Sequence, residues 1–119
     1  MTAVTSHLLL VRHTAVGVPD GTCYGHLDVP LHDEADQHIA EVLRRLPWPA
    51  RDADRIVSSP SQRCIHLAEA LGESFQVDAR LTECAFGDWE GRAWNELPRA
   101  ELDPWFADFV NVQIGRAHV

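Results

Sequence analysis

Apolar positions along the chain fall into several distinct patterns. Leu8-Leu9-Leu10-Val11 is an uninterrupted apolar run between polar residues, which suits a strand buried on both faces of a parallel sheet better than a half-exposed one. Arg12 and His13 stand at its C-terminal end. From Thr14 to Leu31 no period is sustained, and Gly17, Pro19, Gly21, Gly25 and Pro30 punctuate the chain. A loop of that length in a compact domain is usually functional or disordered. Ala35, Ile39, Val42, Leu43 and Leu46 then recur at helical spacing with charged residues largely between them, predicting an amphipathic helix that Pro47 and Pro49 end.

Further along, Arg55-Ile56-Val57-Ser58 reads as a second short strand. Ser59-Pro60-Ser61-Gln62 combines an N-cap serine, a proline at the first helical position and a capping-box glutamine, so a helix is expected from Pro60. Its apolar stripe is Cys64, Leu67, Ala68 and Leu71, its terminator Gly72, and Arg63 lies in its first turn. Phe75-Gln76-Val77 reads as a third strand and Ala93 to Leu97 as a short helix. Leu102, Trp105, Phe106, Phe109 and Val110 trace a helical stripe, with Asp103 as the expected cap and Pro104 behind it. Strand, helix, strand, helix, strand in this order predicts an α/β fold in which helices cover a mainly parallel sheet and ligands bind beyond the carboxyl ends of the strands. Both Arg12-His13 and Ser58-Ser59-Pro60 fall there.

Composition narrows the class. The 119 residues are 45% hydrophobic and 24% charged, as in one soluble globular domain. No apolar run approaches the ~20 residues of a membrane-spanning helix, and no secretory signal opens the chain, so a cytoplasmic protein is expected. Ten basic against eighteen acidic residues leave a net charge of −8, which disfavours nucleic acid and anionic membranes as partners. An anionic substrate must therefore be held by a few focused groups. Cys23, Cys64 and Cys84 lack the spacing of a zinc or redox site and read as reduced structural thiols. His7, His26, His32, His38 and His66 offer no metal-binding pair at i, i+4 and read as surface or loop residues, while the four tryptophans read as core and loop packing.

Three residues carry candidate chemistry, each with a plainer alternative. A neutral imidazole at His13 can attack phosphorus while the Arg12 guanidinium grips phosphate oxygens, yet an Arg-His pair is as readily a strand-end histidine bonded to backbone. Arg63 is either a second phosphate ligand or a solvated helix residue. Glu83 is either a proton donor or a polar loop residue; acid work requires it to approach the same crevice and to have its pKa raised by burial or by neighbouring anions.

Taken together, Arg12-His13, Ser58-Ser59-Pro60-x-x-Arg63 and Glu83-x-x-Phe86-Gly87-x-Trp89-Glu90-Gly91 resemble the histidine phosphatase superfamily, the phosphoglycerate mutase-like fold. Within it the similarity is closest to alpha-ribazole phosphatases. That narrower likeness rests on Cys23-Tyr24-Gly25-x-x-Asp28-Val29-Pro30-Leu31, on Arg63-Cys64 with Leu67-Ala68-Glu69-Ala70-Leu71, and on Trp89-Glu90-Gly91-Arg92-x-Trp94 followed by Pro98 to Asp103. The resemblance implies a three-layer α/β/α sandwich and hydrolysis of a small phosphorylated substrate, alpha-ribazole 5′-phosphate or a phosphorylated cobalamin precursor. It implies His13 as the nucleophile, Arg12 and Arg63 as the phosphoryl clamp and Glu83 as the proton donor, with no cofactor and no metal.

The resemblance also implies a second active-site histidine in a His-x-Gly context on a later strand, and a Gly-Gly-Glu-Ser-like segment. Neither is found in this chain. Residues 1–112 are accordingly expected to be the N-terminal part of such a domain and 113–119 a tail outside the family pattern, with His118 a tail residue. Two other readings stand beside the phosphatase: a phosphoglycerate mutase-like phosphotransferase, and an inactive fragment that binds phosphate.

Overall fold

The computed structural model describes residues 4–112 and Ile114; the remainder of the tail expected over 113–119, His118 included, lies outside the described residues. The chain is a mixed α/β structure with a parallel strand pair and helices, the class the pattern predicts.

Helix α1 spans Ala35–Arg45 and buries Ala35 and Ile39. Asp36 lies in its first turn and Arg44 and Arg45 in its last, the polarity that complements the helix dipole. Leu46 is already extended because the ring of Pro47 crowds the helical conformation of the residue before it. Strand β1, Val57–Ser58, is followed by helix α2, Gln62–Leu71, and strand β2, Gln76–Val77. The strands are parallel, with Val57 beside Gln76 and Ser58 beside Val77. Gln76 donates its N–H to Ile56 O at 2.9 Å and Asp78 to Ser58 O at 3.0 Å. Helix α2 buries Leu67 and Ala68 and packs on β1 and on α1. Gly72 ends it, its N–H returning to Ala68 O.

Three local expectations are corrected. Leu8–Val11 forms no strand: Leu8 is 85% and Leu10 84% exposed, and among the described residues no backbone hydrogen bond joins this run to another segment. An apolar run becomes a strand only where a neighbour takes up its N–H and C=O groups, and here none does. Helix α2 begins two residues later than expected, with Ser61 in the cap position and no side-chain cap from the serines. The first-turn N–H of Gln62 is instead bonded by the Asp28 carboxylate at 2.8 Å, and the Gln62 amide donates to Asp28 O at 3.0 Å. Helix α3, Arg99–Ala107, starts behind Pro98 and carries Pro104 inside it. Asp103 does not cap it but faces Arg99 one turn back at 3.5 Å, and of the predicted stripe only Leu102 and Trp105 reach the core, Phe106, Phe109 and Val110 staying exposed.

That core gathers Cys23, Trp89, Leu97 and Ile114, with Phe86, Trp94, Leu102 and Trp105 packed against it. Three of the four tryptophans therefore share one cluster. Its rings meet edge to face, Phe86 and Trp94 at 5.4 Å and Trp89 and Trp105 at 5.7 Å between centroids, the arrangement their quadrupoles favour. The cluster ties the long loop to the segment after Glu83. The Cys23 N–H donates to Arg92 O and the Cys23 carbonyl accepts from Gly91 N, both at 2.8 Å, and Trp94 N–H bonds Gly21 O at 2.9 Å.

Candidate active site

Beside this core lies an open cleft of about 780 Å³ lined by Arg12, His13, Tyr24, Arg63, Arg80 and Glu83, among other residues. Every residue the sequence singles out for chemistry therefore opens on one cavity.

His13 is half-buried, and its Nδ1 lies 2.8 Å from Thr14 O. A carbonyl oxygen can only accept, so Nδ1 carries a proton; in the neutral ring this leaves the lone pair on Nε2, the form a nucleophile needs. Arg12 is exposed. Tyr24 stands between the histidine and the second arginine: its ring is 6.2 Å from that of His13, and the Arg63 guanidinium lies 4.9 Å over its face.

Arg63 is not the solvated helix residue of the plainer reading. It is only 3% exposed, and its fork donates to Gly25 O at 2.9 Å and to Leu27 O at 3.1 Å. Its Nε–H is buried and has no partner among the described residues. An orphaned donor on a buried cation is costly unless an anion completes it. On its other side the loop lies so close to the segment after Glu83 that residue 25 must be glycine: a Cβ there would collide with Cys84 O and the Phe86 ring.

Glu83 reaches the cleft, as acid work requires, but it is exposed, and its Oε1 accepts from the neighbouring Cys84 N–H at 2.8 Å. The burial half of the expectation is not met. Arg80 adds a third guanidinium at the rim, clamped on Asp78 by bonds of 3.0 and 2.6 Å, which hold the Asp78 carboxyl below its ordinary range. Its charge is thereby offset within the protein.

Two groups carry no assigned role in the sequence pattern. Tyr24 and Glu90 stand there only as letters of longer motifs, although Glu90 accepts four backbone N–H groups. The signal available is the spacing of Glu90-Gly91 after Trp89. A third feature departs from expectation: His32 and His38, read as surface or loop residues, and Glu34 bring one ligand-type atom each within 4.8 Å of one another. His32 Nδ1 accepts the Glu34 N–H at 3.0 Å, which leaves the proton of its neutral ring on Nε2, the wrong state for a metal ligand at that atom.

Burial pushes the Cys23 thiol up to about 12, with the Glu90 charge adding to the effect, and raises Cys84 in the same direction. All three cysteines are free thiols, and neither of these two is a thiolate nucleophile near neutral pH.

The sequence model described as the histidine phosphatase superfamily (branch 1) matches residues 8–116. No curated protein matches the chain. Among solved structures, the chain is similar to TTHB049 from Thermus thermophilus at 24% identity and a TM-score of 0.66, over 83% of this chain and 55% of that one. It is similar to a mycobacterial glucosyl-3-phosphoglycerate phosphatase at 27% identity and 0.65, over 88% and 51%. A phosphoglycerate mutase from Thermus thermophilus gives 23% and 0.63, over 83% and 54%. The chain spans about half the length of these structures. No described helix is long and apolar enough to cross a membrane.

Proposed function

Because the chain belongs to the histidine phosphatase superfamily, we propose that it serves phosphomonoester hydrolysis through a phosphohistidine on His13. The His13 Nε2 lone pair attacks phosphorus, the bond to the leaving oxygen breaks, and Glu83 gives that oxygen its proton. Water then attacks the phosphohistidine, its proton passes to the Glu83 carboxylate, and inorganic phosphate departs with His13 restored. Arg12 and Arg63 hold the phosphoryl oxygens throughout. Phosphoryl transfer asks for little beyond such positioning and charge stabilisation.

The observation that carries this reading is the buried Arg63 guanidinium lining the same cleft as His13. The proposed substrate is alpha-ribazole 5′-phosphate or a phosphorylated cobalamin precursor, and the proposed setting the cytoplasm, with no nucleic acid or membrane partner. What supports the substrate reading is the likeness of the Cys23 to Leu31 segment to alpha-ribazole phosphatases; its Tyr24, Gly25 and Leu27 contact Arg63.

The test is to quench the protein with radiolabelled alpha-ribazole 5′-phosphate and, in parallel, glucosyl-3-phosphoglycerate and 3-phosphoglycerate. The expected product is an acid-labile, base-stable phosphoramidate on His13, absent in His13→Ala, with phosphate released. Interconversion of phosphoglycerates without net hydrolysis marks a phosphotransferase. Vanadate binding with no covalent label marks a phosphate-binding protein, and label on any other residue overturns the assignment of His13.

A further inference from the structure

We infer that Glu90 is the positioning residue of the phosphate-binding side of the cleft, holding the Gly25–Leu27 loop so that its carbonyls fix Arg63. This rests on the reading of Arg63 as a phosphoryl ligand.

Glu90 is not among the groups that line the cleft. Its Oε1 accepts the N–H of His26 at 2.9 Å and of Phe86 at 3.4 Å, and its Oε2 those of Leu27 at 2.9 Å and Gly25 at 3.3 Å. Three consecutive amides turned toward one carboxylate make an anion nest from the loop itself. Bonds from an N–H to an ionised acceptor are roughly twice as strong as neutral ones. The carbonyls of Gly25 and Leu27 meanwhile accept from the two ends of the Arg63 fork. The loop is thus an insulating layer between an anion and a cation, its N–H groups facing Glu90 and its carbonyls facing Arg63. Removing the anion frees the amides, and the carbonyls lose the orientation that holds the guanidinium over the Tyr24 ring.

A catalytic role for Glu90 itself does not follow, because it touches no reacting atom. A general structural role does not follow either, because its four bonds all end on residues 25 to 27 and on Phe86, whose ring lies where a side chain at Gly25 would project.

The experiment compares Glu90→Gln, Glu90→Asp and the parent protein by amide hydrogen exchange, by the NMR resonance of the Arg63 Nε–H, and by vanadate titration. In Glu90→Gln the amides of Gly25, His26 and Leu27 exchange at least about tenfold faster and vanadate binds about tenfold more weakly, the order expected for losing charge-assisted bonds. In an Arg63→Ala background the same change leaves vanadate affinity unaltered, because the two residues act as one unit. Glu90→Asp restores part of each effect. Parent-like exchange and an unmoved Arg63 resonance in a folded Glu90→Gln protein overturn the inference, as does an equal loss of affinity with and without Arg63. If the parent binds no vanadate, the phosphatase reading fails, and the exchange rates and the Arg63 resonance still decide what Glu90 does.

Discussion

Arg63 and His13 open on the same cleft, but they are held in opposite ways. Arg63 bonds carbonyls 36 and 38 residues away, its helix is capped by Asp28 from 34 residues away, and the loop it grips is pinned by Glu90 from 63 to 65 residues away. Among the described residues, His13 and Glu83 each bond only the residue that follows them, and Arg12 is exposed behind a run without strand partners. In the proposed mechanism the binding side is thus fixed by tertiary bonds before any ligand arrives, while the chemical side is held only by the local backbone. Affinity and turnover should then be separable by substitution, because preorganisation governs the first and proton and bond chemistry the second.

The largest effect that would sharpen this contrast is on turnover. Glu83→Gln should slow hydrolysis of an alkyl or ribosyl phosphate by about 10²- to 10⁴-fold, the usual worth of a positioned general acid. Nitrophenyl phosphate, whose leaving group needs little protonation, should lose far less, and vanadate affinity should not change. Parallel rate profiles against pH should show a falling limb at high pH only where Glu83 is present. Equal losses for both substrates, or a matching loss of vanadate affinity, would place Glu83 on the binding side and break the comparison.

Next comes affinity. Arg63→Ala should weaken vanadate binding by about 1.5–3 kcal/mol, the range for hydrogen bonds to charged groups. Arg12→Ala removes an exposed cation and should cost no more than about 1 kcal/mol. Calorimetric titration of both variants decides it, since equal costs would show that the ligand organises the two sides alike.

Legibility in the sequence follows the same division. The stripe of α1 and the core of α2 are readable because helical period and proline stops act within a few residues. Arg12, His13, Arg63 and Glu83 are readable as a set through their spacing, and the cleft does gather them. Leu8–Val11 misleads because an apolar run predicts burial only if a neighbouring strand exists, and that is a property of the tertiary structure. The start of α2 misleads because Ser59 and Ser61 look like sufficient caps, whereas the carboxylate that bonds the first turn belongs to Asp28. Glu90 and Tyr24 carry no signal of their own in the sequence for the same reason: Glu90 meets residues 25 to 27 and Tyr24 meets His13 and Arg63 only in the folded chain.

The binding side also makes a prediction about pH. Cys23 is fully buried beside Glu90, and its thiol is raised from an ordinary value of 9.0 to about 12. A raised thiol means that the neutral form is favoured in the folded state, so its contribution to stability is complete below about pH 9 and is lost as pH rises from there toward 12. Denaturation midpoints measured from about pH 8 to 11 should fall over this window. In Cys23→Ala the midpoint should be lower throughout, because a buried side chain is truncated, but flatter against pH. An equally steep fall in that variant would assign the alkaline loss to other groups.

The smallest effect on stability is expected at the N-terminal apolar run. Leu8 and Leu10 are almost fully exposed, so Leu8→Ser with Leu10→Ser removes little buried surface and should shift stability by no more than about 0.5 kcal/mol, as surface substitutions do. An exposed apolar run with free backbone groups is nevertheless a template for association between chains. The parent chain should therefore self-associate in sedimentation velocity experiments, and the double variant should move toward monomer with its vanadate affinity intact, because the Arg63 side does not depend on this run. A loss of several kcal/mol would mean that Leu8–Val11 is packed inside a sheet, as its apolar pattern first suggests, and that the chemical side of the cleft is held as firmly as the binding side.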